Sequence, residues 1–162
     1  GGKKWINKGL KKSEHISKII VDKDNSNTVF VAAQGPLWSS GGERGLFKTI
    51  NGGDNWRNVL SVNEWTGVTD MVIDPRNKMI MYAATWQRHR NVAAYIGGGP
   101  GTSLHKSIDG GETWTAVPFE NINGPIPDGI CGIHAVDRNT IFAAGRYAGG
   151  AYFRSSTSGD LT

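Results

Sequence analysis

The chain writes Gly-Gly-x-x-Trp three times, at 1–5, 52–56 and 110–114, and the longer forms "NGGDNW" (51–56) and "DGGETW" (109–114) are nearly the same hexapeptide. With the second glycine as marker, Gly2, Gly53 and Gly111 lie 51 and 58 residues apart. A degraded copy, "SSTSGDLT" (155–162), puts Gly159 a further 48 residues on. Upstream of each box a second pattern recurs. "IIVDKDNSNTVFVAA" (19–33), "MVIDPRNKMIMYAA" (71–84) and "IHAVDRNTIFAA" (133–144) each give an apolar strand, an Asp-led polar turn and a strand ending in Ala-Ala. Two features repeating in step define a unit of about 50 residues, a period at which units stack on one another to build a continuous core.

Within a unit the pattern reads as four short strands. In the second these are "VTDMVID", "MIMYAATW", "SLHKSI" and "TWTAV", with "DPRN" and "DGGE" as the first and third turns. Asp, Pro, Asn and Gly serve such turns because their side chains or backbones accept the required dihedrals. Met71–Ile73 and Met79–Tyr82 are almost continuously apolar, as strands covered on both faces are. No segment holds a helical period with caps. The 23 glycines and six tryptophans agree with many tight turns around large aromatic plugs. The expected fold is therefore all-β: a β-propeller of four-stranded antiparallel blades, with about three blades present. The units fall at roughly 1–17 (the outer strand of a preceding blade), 18–60, 61–118 and 119–162. A chain of 162 residues can bury a real core.

Ser107-Ile108-Asp109-Gly110-Gly111-Glu112-Thr113-Trp114 matches the pattern Ser/Thr-x-Asp-x-Gly-x-Thr-Trp in full. It resembles the Asp-box, the bacterial neuraminidase repeat. Thr49 to Trp56 matches with Asn51 in the Asp place and Asn55 in the Thr place, and the last copy departs further, with Thr157 and Thr162 at the Asp and Trp places. A short Asp or Asn side chain accepts N–H groups of its own turn and closes it. Gly53 and Gly111 permit positive φ, and Trp56 and Trp114 open the outer strand and pack back into the blade. Thr49, Asn51, Gly53, Trp56, Ser107, Asp109, Gly111 and Trp114 are thus expected to be structural.

In an antiparallel meander successive loops alternate between ends. The short turns and the boxes share one end. The loops between second and third strands (34–45, 87–102, 145–150) and those between blades (61–67, 120–129) share the other. Long loops in a compact fold are commonly functional. These carry Trp38, Arg44, Trp65, Trp86, Arg88, His89, Arg90, Tyr95, Arg146 and Tyr147, a mixture of aromatic and Arg side chains suited to sugars, anionic groups or a protein partner. The alternative is that the loops pack on neighbouring blades and their arginines pair with Glu43 or Glu64.

Other chemistry finds little support. The net charge of +4 is local: six lysines fall in the first 18 residues, leaving 12 basic and 13 acidic side chains beyond them. Such a cluster reads as a solvated face and predicts no nucleic-acid partner. "GGERGLFKT" lacks the glycine before Lys48 that a phosphate loop needs, and "IGGGPGTS" opens no helix. "DKDNSN" begins like a calcium loop but has Asn27 for the Gly and Ala33 for the bidentate Glu. His15, His89, His105 and His134 have no ligand spacing, so neither a metal nor a cofactor is expected. There is no Gly-x-Ser-x-Gly elbow, and no stretch approaches the roughly 18 apolar residues of a membrane span. Cys131 is alone, so no internal disulfide forms.

Over nearly its whole length the chain resembles Asp-box β-propellers, in particular the bacterial sortilin-like and photosystem II assembly-factor-like proteins. "AAQGPLWSSGGERGLFKTINGGDNW" and "VTDMVIDPRNKMIMYAATWQRHRNVAAYIGGGPG" carry the likeness to large sortilin-like ectodomains. The resemblance implies an extracellular, periplasmic or cell-surface setting. It leaves two functions open, because the box occurs in receptors and in glycosidases alike. One is a non-catalytic binding or scaffold propeller that takes a protein, peptide or glycan through its loop-rich end. The other is a sialidase-like glycoside hydrolase, for which the family's Phe-Arg-Ile-Pro element is missing and no catalytic residue is singled out. Closed propellers have about four to eight blades. Three blades leave two apolar faces open, which predicts a larger propeller or self-association. "GGKKWINKGL" should then be an outer strand without its hairpin partner, and "GAYFRSST" a third strand lacking its fourth.

Overall fold

The structure, a computed structural model, describes residues 2–118, 129–137, 140–146, 151–157 and 160–161. Among them every regular element is a strand. Blade 1 is the meander β1 (Ile16–Val21), β2 (Val29–Ala33), β3 (Gly45–Thr49) and β4 (Arg57–Leu60). Blade 2 is β5 (Thr66–Ile73), β6 (Met81–Gln87), β9 (Ser103–Ser107) and β10 (Thr115–Val117). Between β6 and β9 a small hairpin, β7 (His89–Arg90) and β8 (Tyr95–Ile96), rises from what the sequence presents as a loop. Blade 3 is β11 (Gly129–Asp137), β12 (Thr140–Arg146), β13 (Ala151–Thr157) and β14 (Asp160–Leu161). All pairings are antiparallel.

The period of two along each strand sends alternate residues to opposite neighbours. Phe30 and Ala32 of β2, with Leu46 and Leu60, meet Val68, Met71, Met81 and Ala83 between blades 1 and 2. The residues of opposite parity, Tyr82 and Ala84, with Leu104 and Val117, meet Ile130, Ile133, Ala135, Ile141 and Ala143 between blades 2 and 3. Burying each such large side chain contributes roughly 1.5–3 kcal/mol. The continuous apolar run of β6 has this cause: blade 2 is covered on both faces.

The inner strands carry a device that the repeat pattern alone did not reveal. Each first strand has an irregularity in its pairing, between Ile16 and Lys18, Val68 and Asp70, and Ile130 and Gly132. The residue left over is Ser17, Thr69 or Cys131. Ser17 Oγ donates to Ala32 O in its own blade (3.1 Å) and to Val68 O in the next (3.0 Å). Thr69 Oγ1 donates to Ala84 O (3.2 Å) and to Ile130 O (2.6 Å). A bulge frees a residue from the ladder, and here the freed hydroxyl pins one blade to the next. Asp70 adds a charged link: it pairs with Lys18 Nζ (2.9 Å) and accepts the N–H of Ile133 (3.0 Å), joining all three blades.

Two expectations about the ends change. Residues 2–15 form no strand, so the outer strand expected in 1–17 is not what they make. A strand needs a partner edge. This segment instead runs along the outer side of blade 1, from the box end, where Lys8 O accepts Trp56 Nε1–H (2.7 Å), past Leu10 packed beside Val31, Ala33 and Phe47, to the loop end, where Lys12 N–H donates to Glu43 (2.6 Å). At the other end β13 does have a fourth strand, the short β14.

Candidate functional site

The box end is built for folding. In blade 2 Asp109 Oδ1 accepts the Ser107 hydroxyl (2.7 Å) and the N–H groups of Glu112 and Thr113 (3.0 Å each), while Oδ2 accepts the N–H and hydroxyl of Thr113. The Thr113 hydroxyl and N–H, then the Ser107 hydroxyl, hold this carboxyl well below the usual range. Ser107, itself buried, also accepts the Gly111 N–H (2.9 Å). Gly111 has φ +82°, and a Cβ there would stand 2.8 Å from the Phe30 ring of blade 1. Trp114 closes the turn through Gly111 O and packs into the core between blades 1 and 2. The box of blade 1 repeats the plan with Thr49, Asn51, Gly53 (φ +87°) and Trp56, but Asn51 holds only the Asn55 N–H and the Thr49 hydroxyl. Glu112 reaches across to Lys48 (2.6 Å) and Arg57, whose charges lower its pKa, so the two boxes are cross-linked.

At the opposite end the hairpin β7–β8 is laid onto the loops of blade 1. Arg90 N–H donates to Leu37 O (3.0 Å) and Arg88 N–H to Trp65 O (3.3 Å); Gly41 N–H donates to Glu64 O. Asn91 shapes the hairpin tip by accepting the N–H groups of Ala93 and Ala94. The guanidinium of Arg90 lies over two rings, 5.6 Å from the centre of Trp38 and 5.2 Å from that of Tyr95. Trp65 and His89 stack with centroids 4.1 Å apart. Arg88 lies over Trp86 at 5.5 Å, and burial lowers its pKa from the normal arginine value. Trp86 is fixed by its own donation to Gly97 O (3.0 Å).

Seven of the sequence-level residues, Trp38, Trp65, Trp86, Arg88, His89, Arg90 and Tyr95, thus fall in one neighbourhood. Trp38 is 61% exposed and Arg90 is exposed, so the outer part of the cluster is open to solvent. Glu43 and Glu64 do not pair with these arginines. Among the described residues neither Arg88 nor Arg90 forms an ion pair with a carboxylate.

Arg44 lies beside this cluster but faces inward. It is buried, and its guanidinium donates to the carbonyls of Gly41, Gln34, Pro36 and Ser39. Those bonds hold the 34–45 loop in shape. An arginine within a loop that must turn its carbonyls inward was the available signal, since five N–H donors satisfy such groups. The side chain of Arg146 and all of Tyr147 lie outside the described residues.

No family model and no curated protein sequence matches the chain. Its likeness is to solved structures. The GH74 enzyme of Niastella koreensis superposes with a TM-score of 0.57 at 20% identity over 93% of this chain and 22% of that one. The GH74 xyloglucanase of Xanthomonas campestris gives 0.60 at 16% identity, over 91% and 21%. YCF48 bound to D1 peptide gives 0.60 at 14% identity, over 94% and 40%. The chain thus spans between about a fifth and two fifths of these neighbours. At such identities the likeness is one of fold, and that fold is the β-propeller, of which this chain makes three blades.

Proposed function

We propose that this chain is a non-catalytic binding part of a β-propeller, and that it takes a peptide, protein or glycan on the cluster formed by the β7–β8 hairpin and the 34–45 loop. The observation that carries the reading is the pair of arginines held against aromatic rings without a carboxylate partner among the described residues. A cation resting on a ring keeps its charge while its N–H edges stay free. Trp38 and Tyr95 therefore offer flat apolar contact beside the charged guanidinium of Arg90, the residue types on which binding energy concentrates. That a propeller neighbour was solved with a peptide supports a peptide as the first class to try. An extracellular, periplasmic or cell-surface setting goes with the reading.

The test is a peptide array and a glycan array probed with the whole chain, with turnover of fluorogenic glycosides measured in parallel. Trp38→Ala and Arg90→Ala should each weaken a captured ligand by about tenfold, in line with roughly 1–2 kcal/mol for a desolvated cation–π contact. Both variants should melt as the parent does. Glycoside turnover that survives both substitutions would favour the hydrolase reading instead.

A further inference from the structure

Blades 1 and 2 hold corresponding positions in register, so a departure from their shared plan is visible residue by residue. Counted from the buried alanines Ala32 and Ala84, Gln34 of blade 1 corresponds to Trp86 of blade 2, and Pro36 to Arg88. Counted back from Val68 and Ile130, Gly67 corresponds to Gly129. Each glycine lies near the start of a first strand and against the preceding blade. A Cβ on Gly67 would stand 2.4 Å from the backbone of Gln34, and one on Gly129 would stand 2.4 Å from the indole of Trp86. The joint therefore needs only a close approach, which blade 1 achieves with neither a ring nor a charge. Blade 2 lays an indole into the joint and a guanidinium over it.

The indole is held on three sides. Its Nε1–H donates to Gly97 O (3.0 Å), its edge meets the Gly129 backbone, and the Arg88 guanidinium lies 5.5 Å from its ring. Arg88 is thereby fixed at the seam of blades 2 and 3. Cys131 is exposed on the first strand of blade 3, two residues beyond Gly129, and its thiol is near enough to act on the Arg88 charge. On the other side stands Arg44, whose guanidinium is held below its ordinary pKa by burial and then by the charge of Arg88. Arg88 thus has around it an indole, the Tyr95 phenol, a thiol and a second guanidinium, and among the described residues no carboxylate in an ion pair. A half-buried cation beside another is costly unless an anion joins them. We propose, on the strength of the binding reading above, that the group taken here is a carboxylate of an acidic peptide, seated beside Arg88 at the seam of blades 2 and 3, with Trp86 positioning the guanidinium. A peptide fits better than an acidic sugar because Val92 and Ile96 stand exposed on the same hairpin, and such aliphatic surface is covered by peptide side chains.

Cys131 is the chain's one thiol, which makes it a reporter of the charge at this seam. Its thiolate displaces iodide from iodoacetate or iodoacetamide and forms the same C–S bond with either, and the two reagents differ in charge. The experiment measures the ratio of the two alkylation rates on the whole chain, with the urea-unfolded chain as reference. A positive seam should raise the iodoacetate share about tenfold at low salt. That gain should vanish at about 1 M salt, where charges are screened within roughly 3 Å. Arg88→Gln should abolish it and Arg88→Lys retain most of it, both with cooperative melting. Trp86→Leu should lower it and Trp86→Phe restore it, because the ring places the charge. A ratio equal to that of the unfolded chain, or one indifferent to salt, overturns the proposal without any variant. The second arm is a peptide array in which Asp and Glu are matched with Asn and Gln, and free chain ends with amidated ones. Capture lost with Asn and Gln puts the carboxylate on a side chain, and capture lost on amidation puts it at the chain end; either supports the proposal. Equal capture of charged and neutralised peptides, or capture of acidic glycans alone, overturns it and leaves the binding reading standing. An array that captures nothing overturns both.

Discussion

Blades 1 and 2 follow one plan position by position, and they differ in what that plan has to withstand. Blade 2 lies between two sheets and is sealed on both faces. Blade 1 is sealed on one, and a non-strand segment lies over part of the other. The sealed blade has the stronger box, Asp109 with its full set of donors, and the open blade the weaker one, Asn51. The central residue of the third strand differs too. Phe47 occupies it in blade 1 and His105 in blade 2, on the face opposite Leu46 and Leu104 respectively. His105 is 8% exposed and its Nδ1 has no hydrogen-bond partner among the described residues. A tighter enclosure thus coexists with a buried polar atom left unmet, a defect that costs roughly 1–3 kcal/mol. Enclosure and internal satisfaction are separate properties of a blade.

The largest effect expected from this contrast is at the tryptophans. Trp114→Ala should cost about 3–5 kcal/mol by urea denaturation, because the ring fills the core between two blades. Trp56→Ala should cost roughly 2 kcal/mol, since its ring rests on a smaller cluster beneath Leu10. Equal losses would mean that the open face of blade 1 is as enclosed as the inner one.

Next comes acid. Burial pushes the His105 pKa from 6.5 down to about 4. Between those values the unfolded chain binds a proton that the folded chain refuses, so stability rises with pH there. The contribution is fully present above pH 6.5 and is lost as pH falls toward 4, by roughly 3 kcal/mol in all. His105→Phe, which copies blade 1 into blade 2, should remove that part of the acid sensitivity in denaturation curves taken at pH 7 and pH 4.5. A variant that loses stability with acid as steeply as the parent would assign the effect to other groups.

The smallest effect is at the boxes. Asn51→Asp combined with Asn55→Thr gives blade 1 the anchor of blade 2. It should raise stability by about 1 kcal/mol, the scale of a good cap, read as a higher urea midpoint at unchanged slope. Asp109→Ala should lower stability by a similar amount and leave ligand capture unchanged.

The blades and their turns were legible in the chain because period-two alternation, Asp-led turns and glycines at positive φ each leave a local mark. The clustering of Trp38, Arg88, Arg90 and Tyr95 followed from strand alternation alone. The hairpin β7–β8 did not, since two-residue strands have no period to read. The loop-shaping role of Arg44 was not legible because its acceptors are carbonyls, which every residue carries and no sequence pattern displays. The bulge residues were missed although their signal is present: Ile16-Ser17-Lys18-Ile19, Val68-Thr69-Asp70-Met71 and Ile130-Cys131-Gly132-Ile133 align once the repeat is laid out from its first strand instead of from its box. The ends were misjudged because an outer strand is defined by the edge it joins, which lies elsewhere in the chain.

The hydroxyls that leave the bulges of blades 1 and 2 for the following blade give the stack a direction, like the arrows on a chain of couplers. Blades 1 and 2 each carry a hook, and blades 2 and 3 each carry the matching eye. A copied unit therefore arrives already able to join both neighbours, and an inserted or deleted one leaves the remaining joints matched. A unit turned end for end would find no mate on either side. In a fold that grows by duplication, this one small side chain per repeat sets the reading order, and it lets the number of units change without redesign of any joint.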